Sequence, residues 1–274
     1  MTPEMGLPER PRVLITGAGS GLGRALAVAL AAREARVFGT DTGSETLDAT
    51  GVAVEEAGGD WHGEVADAGS WDDWQRLGRS VESQWGGLDL LVNNAGVALA
   101  GRVGEVSMED WRWLMDINLW GVIYGCHVFT PIMREQKSGW VLNVASAAGI
   151  ASAPELAPYN VAKAGVISLT ETLYGELQPD GVHASVLCPT FFQSELPRRT
   201  RATTDKLMRL TNKLVTRSKW TAEKIADVTL KGLERKELYI LPQNDAKLLY
   251  AMKRSLGPRF PDALAWYRRR LQRS

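Results

Sequence analysis

Arg12-Val-Leu-Ile-Thr16 runs without a spacer into Gly17-Ala-Gly-Ser-Gly-Leu-Gly23, and residues 21–32 carry apolar side chains almost throughout. Val13, Leu14 and Ile15 form a short unbroken apolar run, as in a strand buried on both faces. The glycines that follow let the backbone turn tightly and let a bound group approach it closely. A helix opening directly behind them offers free N–H groups and partial positive charge, which suits a phosphate. Strand, glycine turn and helix in this order open a dinucleotide-binding unit, with Gly17, Gly19, Ser20, Gly21, Leu22 and Gly23 as its expected pyrophosphate contacts.

The same alternation continues outward from this stretch. Short β-rich runs lie at 35–39, 61–66, 88–93, 139–144, 182–187 and 238–241, and helix-period stretches at 44–57, 70–85, 107–135, 157–177 and 221–235. Strands that alternate with helices imply a mainly parallel sheet, because each crossover must be right-handed and long enough for a helix. The expected fold is α/β, a single doubly wound (Rossmann) domain over residues 1–274 with about seven parallel strands and helices on both faces. No linker or repeat divides the chain. Two parts exceed a minimal domain of this class. Residues 190–220, helical in composition and rich in Arg, Lys and Thr, read as a substrate lid. Residues 243–274 read as an amphipathic extension carrying Leu248, Leu249, Met252, Leu256, Phe260, Leu264, Trp266, Tyr267 and Leu271.

The 274 residues are 45% hydrophobic and 23% charged, the balance of an ordinary globular protein. No apolar run approaches the roughly 18 residues of a membrane span, and residues 1–12 lack the basic-then-apolar order of a secretory signal. Cys126 and Cys188 lie in apolar stretches and read as buried thiols. A cytoplasmic location is expected. The net charge of zero hides an asymmetry: residues 1–197 hold 12 Lys+Arg against 25 Asp+Glu, and residues 198–274 hold 20 against 7. A basic final third admits an anionic ligand, a membrane surface or nucleic acid. Its charges are scattered, and the aromatic-and-basic alternation of a strand-binding groove is absent, so no nucleic-acid partner is expected.

Two further features carry chemistry. Asp41, at the end of the second strand, stands where a carboxylate accepts hydrogen bonds from the adenosine ribose and repels a 2′-phosphate. No Arg or Lys lies in the glycine loop or directly after Asp41, so NAD is the expected cofactor. Tyr159 and Lys163, at i and i+4, share one helix face. An ammonium beside a phenol favours the phenolate and draws its pKa below about 10, making a proton-transfer group usable near neutral pH.

Taken together, these residues resemble the short-chain dehydrogenase/reductase family in its compact single-domain branch, from about Arg12 to Leu241. The stretch Thr16 to Gly23 is similar to that family's glycine motif. Asn93-Asn94-Ala95-Gly96 matches a signature that steadies the central sheet and lines the cofactor site. Asn118, Ser146, Tyr159 and Lys163 match the catalytic tetrad, with Ser146 standing 13 residues before Tyr159. The resemblance implies that Tyr159 exchanges a proton with the substrate oxygen, Ser146 hydrogen-bonds that oxygen, Lys163 holds the nicotinamide ribose and lowers the Tyr159 pKa, and Asn118, at a break in the long helix, anchors a water beside Lys163. It also implies adenine contacts at Asp67 and Ala68, and cofactor contacts at Pro189 and Ser194. One departure is Pro189-Thr190, where the family has Pro-Gly. No metal is expected.

The expected activity is interconversion of a hydrophobic secondary alcohol and its ketone, with Phe191, Phe192, Leu196, Leu207, Met208, Leu210 and Leu214 supplying an apolar lid. An NADPH-preferring carbonyl reductase and a nucleotide-sensing module that performs no chemistry are the alternatives. The resemblance also implies a homodimer or homotetramer built on helices 107–135 and 157–177.

Overall fold

The computed structural model describes residues 7–271, with side chains through residue 265. Trp266, Tyr267 and Leu271, expected on the apolar face of the extension, therefore lie outside the described side chains.

The chain begins with β1 (Arg12–Thr16), α1 (Gly21–Ala31), β2 (Arg36–Asp41), α2 (Ser44–Glu56), β3 (Asp60–Val65), α3 (Trp71–Trp85) and β4 (Leu90–Asn93). A short β5 (Ala98–Ala100) leads to α4 (Met108–Met115), one π-helical turn (Asp116–Trp120) and α5 (Gly121–Gln136). Then come β6 (Gly139–Val144), α6 (Ala147–Ala151), α7 (Ala157–Leu177) and β7 (Val182–Leu187). The last stretch holds a 3₁₀ turn (Leu196–Arg199), β8 (Thr200–Ala202), α8 (Asp205–Thr216), α9 (Ala222–Glu234), β9 (Tyr239–Ile240), α10 (Asn244–Leu256) and α11 (Phe260–Leu271).

Seven strands form one sheet in the order β3-β2-β1-β4-β6-β7-β9, with every pairing parallel. Residue alternation along β1 sends side chains to both faces. Val13 and Ile15 join the core under α1, α2 and α9, while Leu14 joins the core under α3, α5 and α7. All three are fully buried, which explains an apolar run with no polar alternation. Strand order reverses beside β1, which pairs with β2 on one side and β4 on the other. At such a switch point the loops beyond the strand ends part and leave a crevice.

Local chemistry sets the element ends. Ser70 caps α3 by accepting from the Asp73 N–H at 3.3 Å, Asp72 and Asp73 complement the helix dipole, and Gly86 closes the helix in the left-handed region at φ 65°. Ser107 caps α4 in the same way through the Asp110 N–H. The long helix expected over 107–135 is present, but the π turn interrupts it at 116–120.

Residues 190–220 differ from the all-helical expectation. Only Asp205–Thr216 is α-helix, and Thr200–Ala202 pairs in parallel with β5 as a separate two-stranded sheet. Pro197 lacks the N–H that would extend a helix, and the β-branched Thr200, Thr203 and Thr204 favour extended backbone. Thr204 then caps α8 through the Leu207 N–H at 3.3 Å. The extension packs back on the body: Lys253 donates to the Ile150 carbonyl at 2.7 Å, and the Tyr250 and Tyr239 rings lie 4.8 Å apart. Among the described residues no helix is long and apolar enough to cross a membrane.

Candidate active site

The glycine loop is tied to the loop after β4 by a tight set of hydrogen bonds. The Asn94 and Ala95 N–H groups both donate to Thr16 Oγ1 at 3.0 Å, and Asn94 Nδ2 donates to the Thr16 carbonyl at 2.8 Å. A Cβ on Gly17 would sit 3.0 Å from Ala95 Cα, and one on Gly23 would collide with the Gly17 carbonyl, so both positions need glycine for close backbone approach. Gly21, at φ 51°, faces outward, where an added Cβ would first meet Ser194 Cβ at 3.6 Å. No side chain caps α1, and its first turn carries no acid. This cradle fits the pyrophosphate of a dinucleotide.

A cleft of about 400 Å³ opens beside it, lined by Gly17, Thr40, Asp41, Thr42, Asp67, Ala68, Ala95, Gly96, Trp113 and Ile117. Asp41 is buried, accepting from the Thr42 N–H at 2.8 Å and the Gly19 N–H at 3.2 Å. Asp67 is exposed, and its Oδ1 accepts from the Gly69 N–H at 2.8 Å. Arg198, Arg199, Thr200 and Arg201 complete its lining. Arg199 Nη2 lies 2.8 Å from Asp41 Oδ1. The absence of a base next to Asp41 in sequence is thus answered in space by a residue 158 positions away.

Asn93 and Asn94 divide their work. Asn93 Nδ2 donates to Asn143 Oδ1 at 2.8 Å, and Asn143 Nδ2 donates to Thr170 Oγ1 at 3.0 Å, a buried polar ladder from β4 through β6 to α7. Asn118, in the π turn and fully buried, clamps the Val97 backbone with both ends of its amide, each at 2.8 Å. A Cβ on Gly96 would stand 3.3 Å from Asn118 Oδ1 and 3.5 Å from Lys163 Nζ, so these two side chains flank one point of the loop.

Ser146, two residues past β6, caps α6 in extended backbone and accepts from the Ala148 N–H at 3.1 Å, with its Oγ 3.4 Å from the Pro189 carbonyl. That second contact is long for a hydroxyl donor. Tyr159 and Lys163 share a face of α7, with Lys163 Nζ 5.8 Å from the phenol ring centre and donating to the Val144 carbonyl at 2.9 Å. Burial lowers the Lys163 pKa to about 8. The phenol departs from the expectation: burial raises its pKa above the ordinary value, and a hydrogen bond with Ser146 offsets this only in part. The ammonium is directed at Val144, and the low-dielectric surroundings penalise the phenolate more than the neighbours favour it.

Pro189-Thr190 is held by groups that the sequence reading missed. The Thr190 N–H donates to Oε1 of the buried Gln243 at 3.0 Å, and Thr190 Oγ1 donates to Asp245 Oδ1 at 3.0 Å. Ser194 lies over Gly21, at the pyrophosphate end. Phe192 packs on the core, whereas Phe191, Leu210 and Leu214 are exposed. No sequence signal marks Arg199 or Gln243, since each acts through long-range contacts without periodicity.

A family model described as short chain dehydrogenase matches residues 11–205. The chain is 34% identical over 190 residues to a 3-oxoacyl-[acyl-carrier-protein] reductase from Synechocystis, covering 69% of this chain and 77% of the relative. It is 30% identical over 271 residues to a CLA biosynthesis dehydrogenase/reductase from Lactiplantibacillus plantarum, covering 91% and 94%. Among solved structures, a short chain dehydrogenase/reductase from Burkholderia phymatum in complex with NAD superposes with a TM-score of 0.85 at 31% identity, covering 91% of this chain and 95% of that one. A short-chain dehydrogenase from Sphingobium yanoikuyae in complex with NADPH gives 0.76 at 25% identity, covering 96% of each.

Proposed function

Because the chain belongs to the short-chain dehydrogenase/reductase family, and is thus an oxidoreductase of that family with a doubly wound fold, we propose that it interconverts a secondary alcohol and its ketone with NAD as the preferred cofactor. The observation that carries this reading is the placement of Lys163 beside Tyr159 and next to Gly96, a residue of the same cleft that Gly17 and Asp41 line.

The nicotinamide cofactor, when bound, gives or takes the hydride at the carbinol carbon. The chain's residues handle the proton and the oxygen. In the reductive direction the Tyr159 hydroxyl gives its proton to the carbonyl oxygen; in the oxidative direction the phenolate takes it back. A phenol held above its ordinary pKa is protonated at neutral pH, the form needed for reduction. The long Ser146 contact to Pro189 is readily exchanged for a hydrogen bond to the substrate oxygen, where a fixed donor stabilises developing negative charge. Lys163 spends one ammonium hydrogen on Val144 and keeps two donors for the ribose hydroxyls. Asn118 holds the loop at Val97 and so fixes the space beside Lys163. Gly17 to Gly23, with Asn94 to Gly96, hold the pyrophosphate and the inner ribose. Asp41 takes the adenosine ribose, and Asp67 and Ala68 border the adenine. Pro189, whose carbonyl lies 3.4 Å from Ser146 Oγ, borders the cofactor beside the catalytic serine. Ser194 is assigned to the pyrophosphate end, because it stands over Gly21.

The substrate is proposed to be hydrophobic, on the strength of the apolar side chains exposed at 191, 210 and 214 in the segment after β7. A second reading has a specific support: relatives 34% identical are named 3-oxoacyl-[acyl-carrier-protein] reductase, so the ketone can be that of a 3-oxoacyl thioester. A panel of secondary alcohols, simple ketones and 3-oxoacyl thioesters, followed by nicotinamide absorbance with NAD and NADP, tests both. Turnover on the thioesters alone would favour the second reading. Binding of the dinucleotide with no turnover on any member would overturn both and leave a nucleotide-sensing module.

A further inference from the structure

The arginines that line the cleft have no part in the chemistry above. Asp41 is 1% exposed at its side chain and yet pairs with Arg199, which arrives from the segment after β7. That segment is not loosely draped. Thr200, Arg201 and Ala202 pair with Ala98, Leu99 and Ala100. Arg201 pairs with Asp110 at 2.7 Å and lies 3.9 Å over the Trp113 ring. On the other side, Ser194 stands over Gly21 and the Gln193 N–H donates to the Trp220 carbonyl at 2.8 Å. Anchors before and after Arg199 thus set its guanidinium at the carboxylate.

We propose that Arg199 is a cofactor-specificity residue, competing with the adenosine ribose for Asp41 and offering its guanidinium to a 2′-phosphate. The inference rests on the reading that Asp41 meets that ribose. A carboxylate alone repels a 2′-phosphate. A carboxylate already paired with a guanidinium presents a neutral pair, and the guanidinium has five donors in a planar fork that matches phosphate oxygens. Ribose hydroxyls, in contrast, compete with Arg199 for the Asp41 carboxylate, whose Oδ1 already accepts from the Thr42 N–H as well. Both effects act in one direction. Arg199 weakens NAD and strengthens NADP, so the chain discriminates between them less than Asp41 by itself would dictate. Arg198 and Arg201 line the same cleft and raise its positive potential, but neither is paired with Asp41.

Isothermal titration calorimetry with ADP-ribose and 2′-phospho-ADP-ribose reads this without any turnover. In Arg199→Ala the ratio of the two dissociation constants should move at least about tenfold toward the unphosphorylated ligand. Arg199→Lys, which keeps the charge and loses the fork, should fall between. Arg199 is 39% exposed at its side chain, so truncation leaves the core packing untouched, and thermal unfolding of the variant confirms the fold. A smaller change in the ratio, including equal weakening of both ligands, would overturn the proposal. Asp41→Asn is titrated in parallel. If it leaves ADP-ribose binding unchanged, the placement of Asp41 at the ribose fails. If it weakens that binding while Arg199→Ala leaves the ratio alone, only the role of Arg199 fails.

Discussion

At the scale of single residues, Tyr159 and Lys163 are opposed by the same burial. The phenol is pushed up and the ammonium down, each toward its neutral form. Tyr159→Phe keeps the ring and removes only the hydroxyl. It should lose at least about a hundredfold in turnover while binding ADP-ribose as the wild type does. Turnover within a few-fold of wild type would remove Tyr159 from the proton path. For Lys163 the consequence appears in stability. Its folded-state pKa of about 8 lies below its ordinary 10.5, so between those values the unfolded chain binds more protons and stability rises with pH. Lys163→Met has no such proton to release. It should be the more stable protein near pH 7, by on the order of 1–3 kcal/mol after the loss of the Val144 contact, and the gap should close by about pH 9.5. Urea unfolding of both proteins at the two pH values checks this, and a pH-independent gap would count against it. Tyr159 bears on the curve only above its own ordinary value of 10, where its raised pKa makes stability fall. The Tyr159–Lys163 pairing was legible in the chain because i,i+4 on a helix needs no tertiary knowledge. The direction of the phenol's shift was not legible, because it depends on where the Lys163 ammonium points and on how much water reaches the ring.

At the scale of elements, the strands and most helices could be read because their periodicity reports burial directly. The apolar run of β1, the capping serines of α3 and α4 and the apolar pattern of α7 are local signals. The segment after β7 could not be read so, since its Arg, Lys and Thr content suits a helix until Pro197 and the threonines are given their weight. Its β8 exists only because β5 lies beside it. The departure at Thr190 also finds its partner far away, in Gln243 and Asp245 at the start of α10. The substrate loop and the extension are thus joined. Gln243 is 3% exposed, accepts from Thr190 and donates to the Phe191 carbonyl at 3.4 Å. Gln243→Leu fills similar volume but leaves the Thr190 N–H without its partner. It should cost about 1–3 kcal/mol of stability. It should also raise KM more than it lowers kcat, because the loop loses its anchor and the tetrad does not. Unfolding in urea and steady-state kinetics measure the two halves, and a variant as stable as wild type would show that the contact holds nothing in place.

For the whole molecule, the question is what covers α5 and α7. The indole of Trp120 is 46% exposed at the π turn, stacked on Tyr124 with ring centres 5.9 Å apart, and Val161 and Tyr174 on α7 are 50% and 38% exposed. Scattered apolar side chains need no explanation, but a large aromatic already ordered by stacking makes a low-entropy anchor for an interface. We expect the chain to form at least a homodimer through these helices. In a two-fold interface each substitution acts twice, once from each copy. A buried Trp at such a centre is worth about 2 kcal/mol or more per copy, so Trp120→Glu should weaken the dimer by about a thousandfold. The glutamate sits at a position that is solvent-exposed in the monomer, so the fold itself should tolerate it. Light scattering at micromolar concentration should therefore give at least twice the monomer mass for the wild type and the monomer mass for the variant, with circular dichroism unchanged between them. A monomeric wild type would refute the assembly outright. An oligomer of unchanged mass in Trp120→Glu would place the interface on another face, and the exposed indole would then have to be accounted for by something other than a second copy of the chain.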